Sequence, residues 1–329
     1  MKILISGATG FIGSRLCLLA RQDGHEVVAT GQRNNPVEIS RGEALEHAGV
    51  NIMEGSLLDV QFARRVTEGC QGVIHLAAAQ HESNVPDEYF RQINVDGTRT
   101  LLDAAVAQGV RRFVYGSTIG VYGSAAEGKL DETSPAQPVN IYGKTKLEAE
   151  SVVRGYSDRL EQSIIRISET YGPGDFRLLK LFKAIKRGRF PVIGAGDNLH
   201  QVIHVDDLSR GLLLGLTHPA AVGETFVLAG QEVMTTREMV ARVAAAVDRP
   251  PPGLRVPLWP FLVAAIVMEK TLRPLGIEPP LHRRRLDFFR KSFLFSVDKA
   301  RDQLGFAPRI GFVDGARATA SWYAEQRLL

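Results

Sequence analysis

The glycine motif near the N-terminus constrains the fold more than any other segment of the chain. Gly7, Gly10 and Gly13 follow the short apolar run Lys2–Ser6 and open a helical pattern over Phe11–Gln22. Glycine permits a tight turn and lets backbone N–H groups approach a pyrophosphate at a helix N-terminus. A strand, this turn and a helix in that order predict a dinucleotide site. The alternative is a strand–helix turn without a ligand.

Short apolar runs and helical patterns alternate through the first half of the chain. Apolar runs at residues 26–30, 73–76, 113–115 and 163–167 alternate with helical stretches such as 89–108 and 142–154. This alternation is typical of a parallel sheet covered by helices on both faces. We therefore expect an α/β chain with a Rossmann doubly wound sheet, whose ligands lie at the carboxyl ends of the strands.

The character of the sequence changes after the segment Tyr171-Gly-Pro-Gly174. Basic helical sequence follows at 176–189, and a proline-rich stretch lies at 250–260, without a second glycine motif. We expect residues 1–170 to form an NAD(P)-binding Rossmann domain, with 201–230 returning to its sheet. Residues 171–329 should form mainly a smaller α/β substrate-binding domain.

The bulk composition favours a soluble enzyme that acts on a small molecule. The formal net charge is +4, and acidic and basic residues are interspersed, so we expect no nucleic-acid partner. The cysteines, Cys17 and Cys70, are too few for a disulfide framework or a zinc site and indicate a reducing compartment. The first residues are typical of a strand rather than a signal peptide, and the apolar run at 261–268 is shorter than the ~20 residues of a membrane span. These features predict a cytoplasmic protein without a metal site.

The end of the second predicted strand bears on the choice between NAD and NADP. An acid there would bind the ribose 2′-hydroxyl of NAD, but Gly31 occupies the position and Arg33 follows two residues later. Arg33 could pair with a 2′-phosphate, which favours NADP slightly, or could be a solvated loop charge. Asp59 is placed to bond an adenine amino group or to cap the next helix.

Tyr142 and Lys146 are the strongest catalytic candidates. Their i, i+4 spacing puts them on one helix face. Free tyrosine has a pKa of about 10, and a nearby ammonium group together with a cationic nicotinamide ring would lower it. Lys146 could also hold the nicotinamide ribose. Ser117 and Thr118 end the strand that begins at 113, and a hydroxyl there could bond the reacting oxygen of a substrate.

With these motifs, the chain resembles the extended short-chain dehydrogenase/reductase family, also described as NAD-dependent epimerases and dehydratases, over nearly its whole length. The matching segments start at Gly7, Asp59, His75, Asn94, Ser117, Val121, Tyr142, Tyr171 and His204. The resemblance implies Thr118 as the catalytic hydroxyl, Tyr142 as the acid/base and Lys146 as its partner, with Tyr142 and Lys146 also contacting the cofactor. It also implies a homodimer through a helix bundle that contains the Tyr142 helix. The other cofactor-binding candidates are Gly7, Gly10, Phe11, Ile12, Gly13, Arg33, Leu58, Asp59, Leu76, Ala77, Ala78, Ser117 and Pro173.

Three departures from the family pattern narrow the chemistry. Sugar 4,6-dehydratases of the family place Asp-Glu after the catalytic threonine, whereas this chain has Ile119-Gly120, so dehydration is not expected. Glu169 and His200 stand where nucleotide-sugar enzymes carry Asn and Arg. With Thr118 and Arg285, they are the candidate substrate-binding residues. The basic residues at 177–189 could form a phosphate clamp, and Arg284 with Arg285 could form another; the alternative for both is a solvated basic helix face.

The C-terminal part contains the apolar stretch 256–268 and resembles the 3β-hydroxysteroid-dehydrogenase-like branch. This stretch could be core, line a hydrophobic substrate pocket or contact a membrane surface. The leading hypothesis is an NAD(P)-dependent oxidoreductase or epimerase that transfers hydride at a secondary alcohol or ketone. The alternatives are a nucleotide-sugar 4-epimerase with tightly bound NAD and a non-catalytic dinucleotide sensor.

Overall fold

The computed structural model describes residues 1–80, 85–123, 128–272, 277, 279, 281 and 286–329. The chain forms two compact units. The first contains Met1–Thr170, Val205–Ala229 and Phe295–Arg309, and the second contains Tyr171–His204, Gly230–Leu294 and Ile310–Leu329. The segment Phe295–Arg309 therefore belongs to the first unit, although its position in the sequence places it within the predicted smaller domain. The backbone N–H of Ser296, bonded to the carbonyl of Leu130 at 2.7 Å, attaches it there.

A seven-stranded parallel sheet forms the centre of the first unit, in the order β12-β7-β5-β4-β1-β2-β3. Its strands are β1 (Lys2–Ser6), β2 (Glu26–Gly31), β3 (Asn51–Glu54), β4 (Gly72–His75), β5 (Arg112–Thr118), β7 (Glu161–Ile167) and β12 (Thr225–Leu228). The predicted Rossmann fold is confirmed. The strand order reverses between β1 and β4, and in such sheets a ligand crevice lies at this switch point.

The remaining strands are two-residue bridges. They are β6 (Lys129–Leu130), β8 (Thr170–Tyr171), β9 (Val192–Ile193), β10 (Leu199–His200), β11 (Ile203–His204), β13 (Met234–Thr235), β14 (Arg255–Val256) and β15 (Leu294–Phe295). In the second unit, β10 pairs antiparallel with β13, and β9 pairs parallel with β14. These short pairings leave helices as the main elements of that unit.

The α-helices are numbered here in chain order. They are α1 (Phe11–Gln22), α2 (Pro36–His47), α3 (Val60–Thr67), α4 (Asp87–Arg91), α5 (Gly97–Ala107), α6 (Ile141–Arg154), α7 (Leu179–Lys186), α8 (Val205–Thr217), α9 (Thr236–Ala246), α10 (Trp259–Leu272), α11 (Asp298–Leu304) and α12 (Phe312–Glu325). Shorter 3₁₀ turns lie at Ile119–Val121, Pro219–Ala221 and Asp287–Phe289. Within the described ranges, none of the helices is long and apolar enough to cross a membrane.

The ends of the functional helices follow local sequence signals. Asn35 caps α2, its side chain accepting bonds from two backbone N–H groups, and Pro36 takes the first helical position. Asn140 caps α6 by accepting the N–H of Gly143 at 2.8 Å. Thr235 and Glu238 form a reciprocal capping box at the start of α9. These caps fix where each helix begins, and so which side chains its first turn presents.

Two predicted helices differ in the structure. The helical stretch predicted at 89–108 is split by a π-helical turn at Gln92–Asp96 between α4 and α5. Such turns are often found at functional sites, and this one carries Asn94, whose contacts are described below. The basic helix predicted at 176–189 contracts to α7, because the residues from Phe176 to Leu178 form bends and a turn instead.

Each unit has its own apolar core. In the first unit, Leu4, Val73 and Phe113 from neighbouring strands pack with helix residues of α3, α5 and α6. In the second unit, Phe182 of α7 packs with residues of α9 and α12, including Val243 and Tyr323. Independent cores are what two separate compact units require.

Candidate active site

A groove of about 400 Å³ opens in the first unit along the carboxyl ends of β1, β2 and β4. The loops that follow these strands and the loop after β3 line it, together with residues of α2, α4, the π-helical turn and the start of α5. Its lining residues are Gly7, Thr9, Gly10, Thr30, Gly31, Gln32, Asn34, Glu38, Gly55, Ser56, Leu57, Leu58, Leu76, Ala77, Ala78, Ala79, Tyr89, Ile93 and Gly97. The groove lies at the switch point of the sheet, where a dinucleotide binds in this architecture.

The glycine turn has a shape that other residues could not adopt. Gly7 has φ +71°, and a Cβ there would lie 2.7 Å from the backbone nitrogen of Ala77. A Cβ on Gly13 would lie 2.1 Å from the carbonyl oxygen of Gly7. Helix α1, with Phe11 and Ile12 in its first turn, therefore starts directly against the turn. This arrangement leaves a backbone cradle that fits the pyrophosphate of a dinucleotide.

Thr9 explains why the second strand lacks the expected acid. A Cβ on Gly31 would lie 2.5 Å from the hydroxyl oxygen of Thr9 and 2.9 Å from its methyl carbon. The Thr9 side chain fills the space that an aspartate at position 31 would need. The polar groups lining this end of the groove come instead from Gln32, Asn34 and Glu38.

Arg33 points its guanidinium group at carboxylates of the protein. It forms ion pairs with Glu46 of α2 and with Glu54 of β3, the latter at 2.9 Å. Glu38 lies on the groove wall, and its Oε2 accepts the backbone N–H of Asn34 at 2.8 Å. The guanidinium group that the sequence offered as a partner for a 2′-phosphate is thus paired with carboxylates of the protein itself.

Asp59 serves as the N-cap of α3. Its Oδ1 accepts the backbone N–H groups of Gln61 at 2.9 Å and Phe62 at 3.4 Å. This is the capping role that the sequence left open beside adenine recognition. The preceding residue, Leu58, lines the groove.

Asn94 connects the cofactor groove to the catalytic helix, a role that its place in the sequence motif did not reveal. Its side-chain amide bonds both the N–H and the carbonyl of Ala79, at 2.8 and 3.0 Å, and so fixes the loop after β4. The same amide donates to the hydroxyl of Thr145 on α6 at 2.9 Å. Asn94 is 1% exposed, so these bonds form in a dry environment.

The first turn of α6 packs against the segment that follows β5. A Cβ on Gly143 would lie 2.7 Å from the carbonyl oxygen of Gly120, so only glycine allows this approach. The hydroxyl of Thr118 accepts the backbone N–H of Gly120 at 3.0 Å, which leaves its own proton to donate to a ligand. The structure thus brings half-buried Tyr142 and Thr118 into adjoining segments of the first unit.

Lys146 is buried on the inner face of α6, with 2% of its surface exposed. Its ammonium nitrogen lies 4.1 Å from the ring centre of Tyr115. Burial lowers the pKa of Lys146 to about 7, and the charge of Glu150 acts in the opposite direction. Lys146 therefore changes charge near neutral pH, where an acid/base partner is most responsive.

Glu150 organises a buried ionic network one turn beyond Lys146. It is fully buried and accepts the hydroxyl of Ser117 at 2.6 Å and the guanidinium of Arg166 at 2.9 and 3.1 Å. Arg154 adds a third donor at 3.0 Å. These donors hold the pKa of Glu150 below its usual value despite burial. The hydroxyl of Ser117, expected at the cofactor, is thus engaged with this carboxylate.

His75 lies at the end of β4 as a neutral imidazole. Its Nδ1 is 2.6 Å from the hydroxyl of Ser6, and its Nε2 is 3.0 Å from that of Thr98. Burial and the charge of Lys146 lower its pKa to about 3. Two hydroxyl partners satisfy both ring nitrogens, so His75 braces the strands beneath the groove.

The predicted substrate residues are dispersed. Glu169 is exposed after β7 in the first unit. His200 is 5% exposed in the second unit, where its Nε2 lies 2.9 Å from the hydroxyl of Thr236 and its ring stacks on Phe288. This burial favours a structural role for His200. Pro173 also lies in the second unit. Arg285, like Arg284, lies outside the described residues.

Comparison with known proteins identifies the family of this chain. The model of the NAD dependent epimerase/dehydratase family matches residues 3–229. A dTDP-glucose 4,6-dehydratase of Streptomyces griseus is 31% identical, with 99% of this chain and 94% of the relative covered. A 2-alkyl-3-oxoalkanoate reductase of Stenotrophomonas maltophilia is 29% identical, with 96% and 98% covered. The crystal structure of DesIV, a dTDP-glucose 4,6-dehydratase from Streptomyces venezuelae with NAD bound, superposes with a TM-score of 0.76 at 26% identity, covering 99% and 98% of the two chains.

The family match covers more than half of the chain, and it includes the glycine turn, the groove and the Tyr142 helix. The resemblance inferred from the sequence motifs is therefore confirmed. The chain belongs to the NAD dependent epimerase/dehydratase family of extended short-chain dehydrogenases/reductases.

Proposed function

We propose that this enzyme is an NAD-dependent oxidoreductase that interconverts a secondary alcohol and a ketone. The observation that carries the proposal is α6, where half-buried Tyr142 precedes a buried Lys146 whose pKa is lowered to about 7. When bound, the nicotinamide cofactor supplies or accepts the hydride. The protein has to bind the oxygen of the reacting carbon and move one proton.

Each side chain of the proposed site has its own role in binding the substrate oxygen and moving the proton. Tyr142 takes the proton of the substrate hydroxyl in oxidation and returns it to the oxygen in reduction. Thr118 accepts the N–H of Gly120 and donates its hydroxyl proton to the same substrate oxygen. Lys146 favours the phenolate form of Tyr142 through its positive charge. Glu150 and Asn94 hold α6 in place beneath these groups.

NAD is the cofactor that the groove favours over NADP. Glu38 puts a carboxylate on the wall near Asn34, and Arg33 is paired with Glu46 and Glu54. A 2′-phosphate would meet negative charge there without an available cation in Arg33. The 2′-hydroxyl of NAD could instead donate to Glu38.

The ketone or alcohol substrate is best sought among hydrophobic compounds. The 2-alkyl-3-oxoalkanoate reductase and an Arabidopsis thaliana 3beta-hydroxysteroid-dehydrogenase/decarboxylase, 27% identical over 84% of this chain, provide the chemical classes to test. Purified enzyme should oxidise NADH when given a matching 3-oxoalkanoate or keto steroid. Failure with hydrophobic ketones and alcohols, combined with turnover of a nucleotide sugar, would reject this substrate class.

A nucleotide-sugar 4-epimerase with tightly bound NAD is the second candidate. Helix α7 favours it, because Lys180, Lys183 and Lys186 form a basic run that suits a diphosphate. Denaturing the purified protein separates the candidates. Stoichiometric release of NAD supports an epimerase that keeps its cofactor, whereas an empty site that NADH stabilises supports the reductase. In either case Ile119 and Gly120 lack the acid and base that a dehydratase needs.

The oligomeric state and the cellular compartment of this protein remain predictions. The resemblance to the family implies a homodimer through a bundle that contains α6, which light scattering of the purified protein would test. Cys17 and Cys70 are buried free thiols, and burial raises the pKa of Cys17 to about 12 and that of Cys70 to about 11. We therefore propose a location in a reducing compartment, the cytoplasm, where free thiols persist.

A further inference from the structure

Helix α10 exposes apolar side chains where a surface helix normally carries polar ones. Trp259 is 68% exposed, Val263 and Val267 are each 53% exposed, and Ile266 is 39% exposed. Their spacing places them within one stripe about 100° wide along the helix, at 3.6 residues per turn. An exposed apolar patch of this kind is typical of a surface that binds another protein or a membrane.

The stripe is not the packed side of the helix. The buried residues of α10, Ala265 and Glu269, are one turn apart and lie across the helix from Val263. The helix thus buries Ala265 and Glu269, half-buries Phe261, Leu262 and Met268, and leaves the residues of the stripe exposed. The exposed stripe is therefore additional to the face through which α10 packs within its own unit.

Charge is distributed unevenly between the two units. The second unit contains 19 Lys and Arg residues against 10 Asp and Glu, whereas the first contains 21 against 26. Two exposed cations lie in α10 or close to it in the sequence. Arg255 lies in β14 just before α10, and Lys270 lies within the stripe near the end of the helix. An apolar stripe accompanied by cations complements a surface that is apolar inside and anionic outside.

We propose that α10 docks this protein on an anionic membrane surface, lying in the plane of the interface. The exposed indole of Trp259 suits the headgroup level, where tryptophan is enriched. The 14 residues of α10 span about 21 Å at 1.5 Å per residue, less than the roughly 30 Å of a bilayer core, so the helix lies on the membrane and does not cross it. The proposal does not depend on the identity of the substrate.

Vesicle binding tests the proposal with the full-length protein. The chain has two tryptophans, and Trp322 packs edge to face against Phe176 and tilted against Tyr323. Trp322→Phe therefore keeps an aromatic ring there and leaves Trp259 as the sole tryptophan. Vesicles of phosphatidylcholine with phosphatidylglycerol should co-sediment this variant and shift its tryptophan emission to the blue. Binding should fall with added salt and be much weaker to phosphatidylcholine alone.

A matched pair of substitutions tests whether vesicle binding depends on the apolar stripe or only on the net charge of the protein. Val263→Glu places a carboxylate in the stripe, and we expect vesicle partitioning to drop about tenfold or more. Val313→Glu makes the same change on α12, at a residue that is 44% exposed in the same unit, and should leave partitioning within about twofold. Circular dichroism and the melting temperature verify that both variants fold.

Several results would overturn the proposal. Absence of binding to anionic vesicles, or equal loss in both variants, would refute membrane docking through this stripe. If vesicles fail to bind and Val263→Glu instead dissociates a wild-type dimer in light scattering, the stripe is an interface between copies. NADH binding measured in parallel distinguishes these results from a failure of the proposed oxidoreductase function.

Discussion

The Lys146 ammonium and the Glu150 carboxylate lie one helical turn apart on the buried face of α6, and the charge of Glu150 raises the pKa of Lys146 against the effect of burial. Glu150 keeps its own charge because Arg166, Ser117 and Arg154 bond it. Helix α6 is therefore anchored to β5 and β7 through the Glu150 carboxylate.

Loss of the Glu150 charge should destabilise the fold. In Glu150→Gln, the buried guanidinium of Arg166 loses its counter-ion, and we expect a decrease of about 3 kcal/mol in the free energy of unfolding. Glu148→Gln is the matched control, since Glu148 lies on the same helix in an exposed pair with Arg91 and should cost less than about 1 kcal/mol. Urea unfolding measures both, and equal losses would argue against the buried network as an anchor.

The titration of Lys146 gives a pH dependence of defined sign. Its folded pKa of about 7 lies below the ordinary value of 10.5, so between these values the unfolded chain binds more protons. The free energy of unfolding therefore rises with pH across this window, by up to about 1.4 kcal/mol per pH unit, because the cost of burying a charged Lys146 is relieved. Wild type should gain stability relative to Lys146→Met between pH 7 and about pH 9. Parallel curves would show that Lys146 is not desolvated in the apoprotein.

Substitutions at two glycines with positive φ distinguish a specific loss of cofactor binding from the general effect of backbone strain. Gly7→Ala places a Cβ against Ala77 in the groove, and we expect NADH affinity to fall more than about tenfold. Gly24 has φ +82° with open space around its Cβ position, so Gly24→Ala carries the same kind of strain, roughly 1 kcal/mol, without touching the groove. Calorimetric titration should show weakened binding only in the first variant. Equal affinities would contradict the assignment of the turn.

Cofactor preference should depend on Glu38 rather than on Arg33. We expect wild type to bind NADH at least about tenfold more tightly than NADPH, and Glu38→Gln to narrow that ratio by removing the carboxylate that repels a 2′-phosphate. Arg33→Ala should leave the ratio within about twofold, because Glu46 and Glu54 already hold the guanidinium. Loss of NADPH binding in Arg33→Ala alone would reverse this assignment.

The sequence predicted the elements that depend on local signals. The turn at Gly7 follows from glycine spacing, and the face shared by Tyr142 and Lys146 follows from helical periodicity. Contacts between residues far apart in the chain could not be predicted from such local signals. The partners of Arg33 come from α2 and β3, and the space beside Gly31 is filled by Thr9 from the turn after β1.

The same limit applies to the buried polar groups of the site. Ser117 looked like a cofactor ligand because it ends β5, but its hydroxyl donates to Glu150, 33 residues away. His200 looked like a substrate ligand because of its place in a family motif, but Thr236 and Phe288 enclose it. Glu150, one turn after Lys146, and Arg166, within an otherwise apolar strand, were the signals that the sequence offered for the buried network.

Turnover by Tyr142→Phe, with NADH binding measured on the same preparation, tests the central claim most directly. Removing the hydroxyl deletes the proton donor and acceptor but keeps the ring, so NADH affinity should stay within a few-fold of wild type. We expect kcat on the ketone substrate to fall by about 100-fold or more. Turnover within a few-fold of wild type, with cofactor bound normally, would contradict Tyr142 as the acid/base of this enzyme.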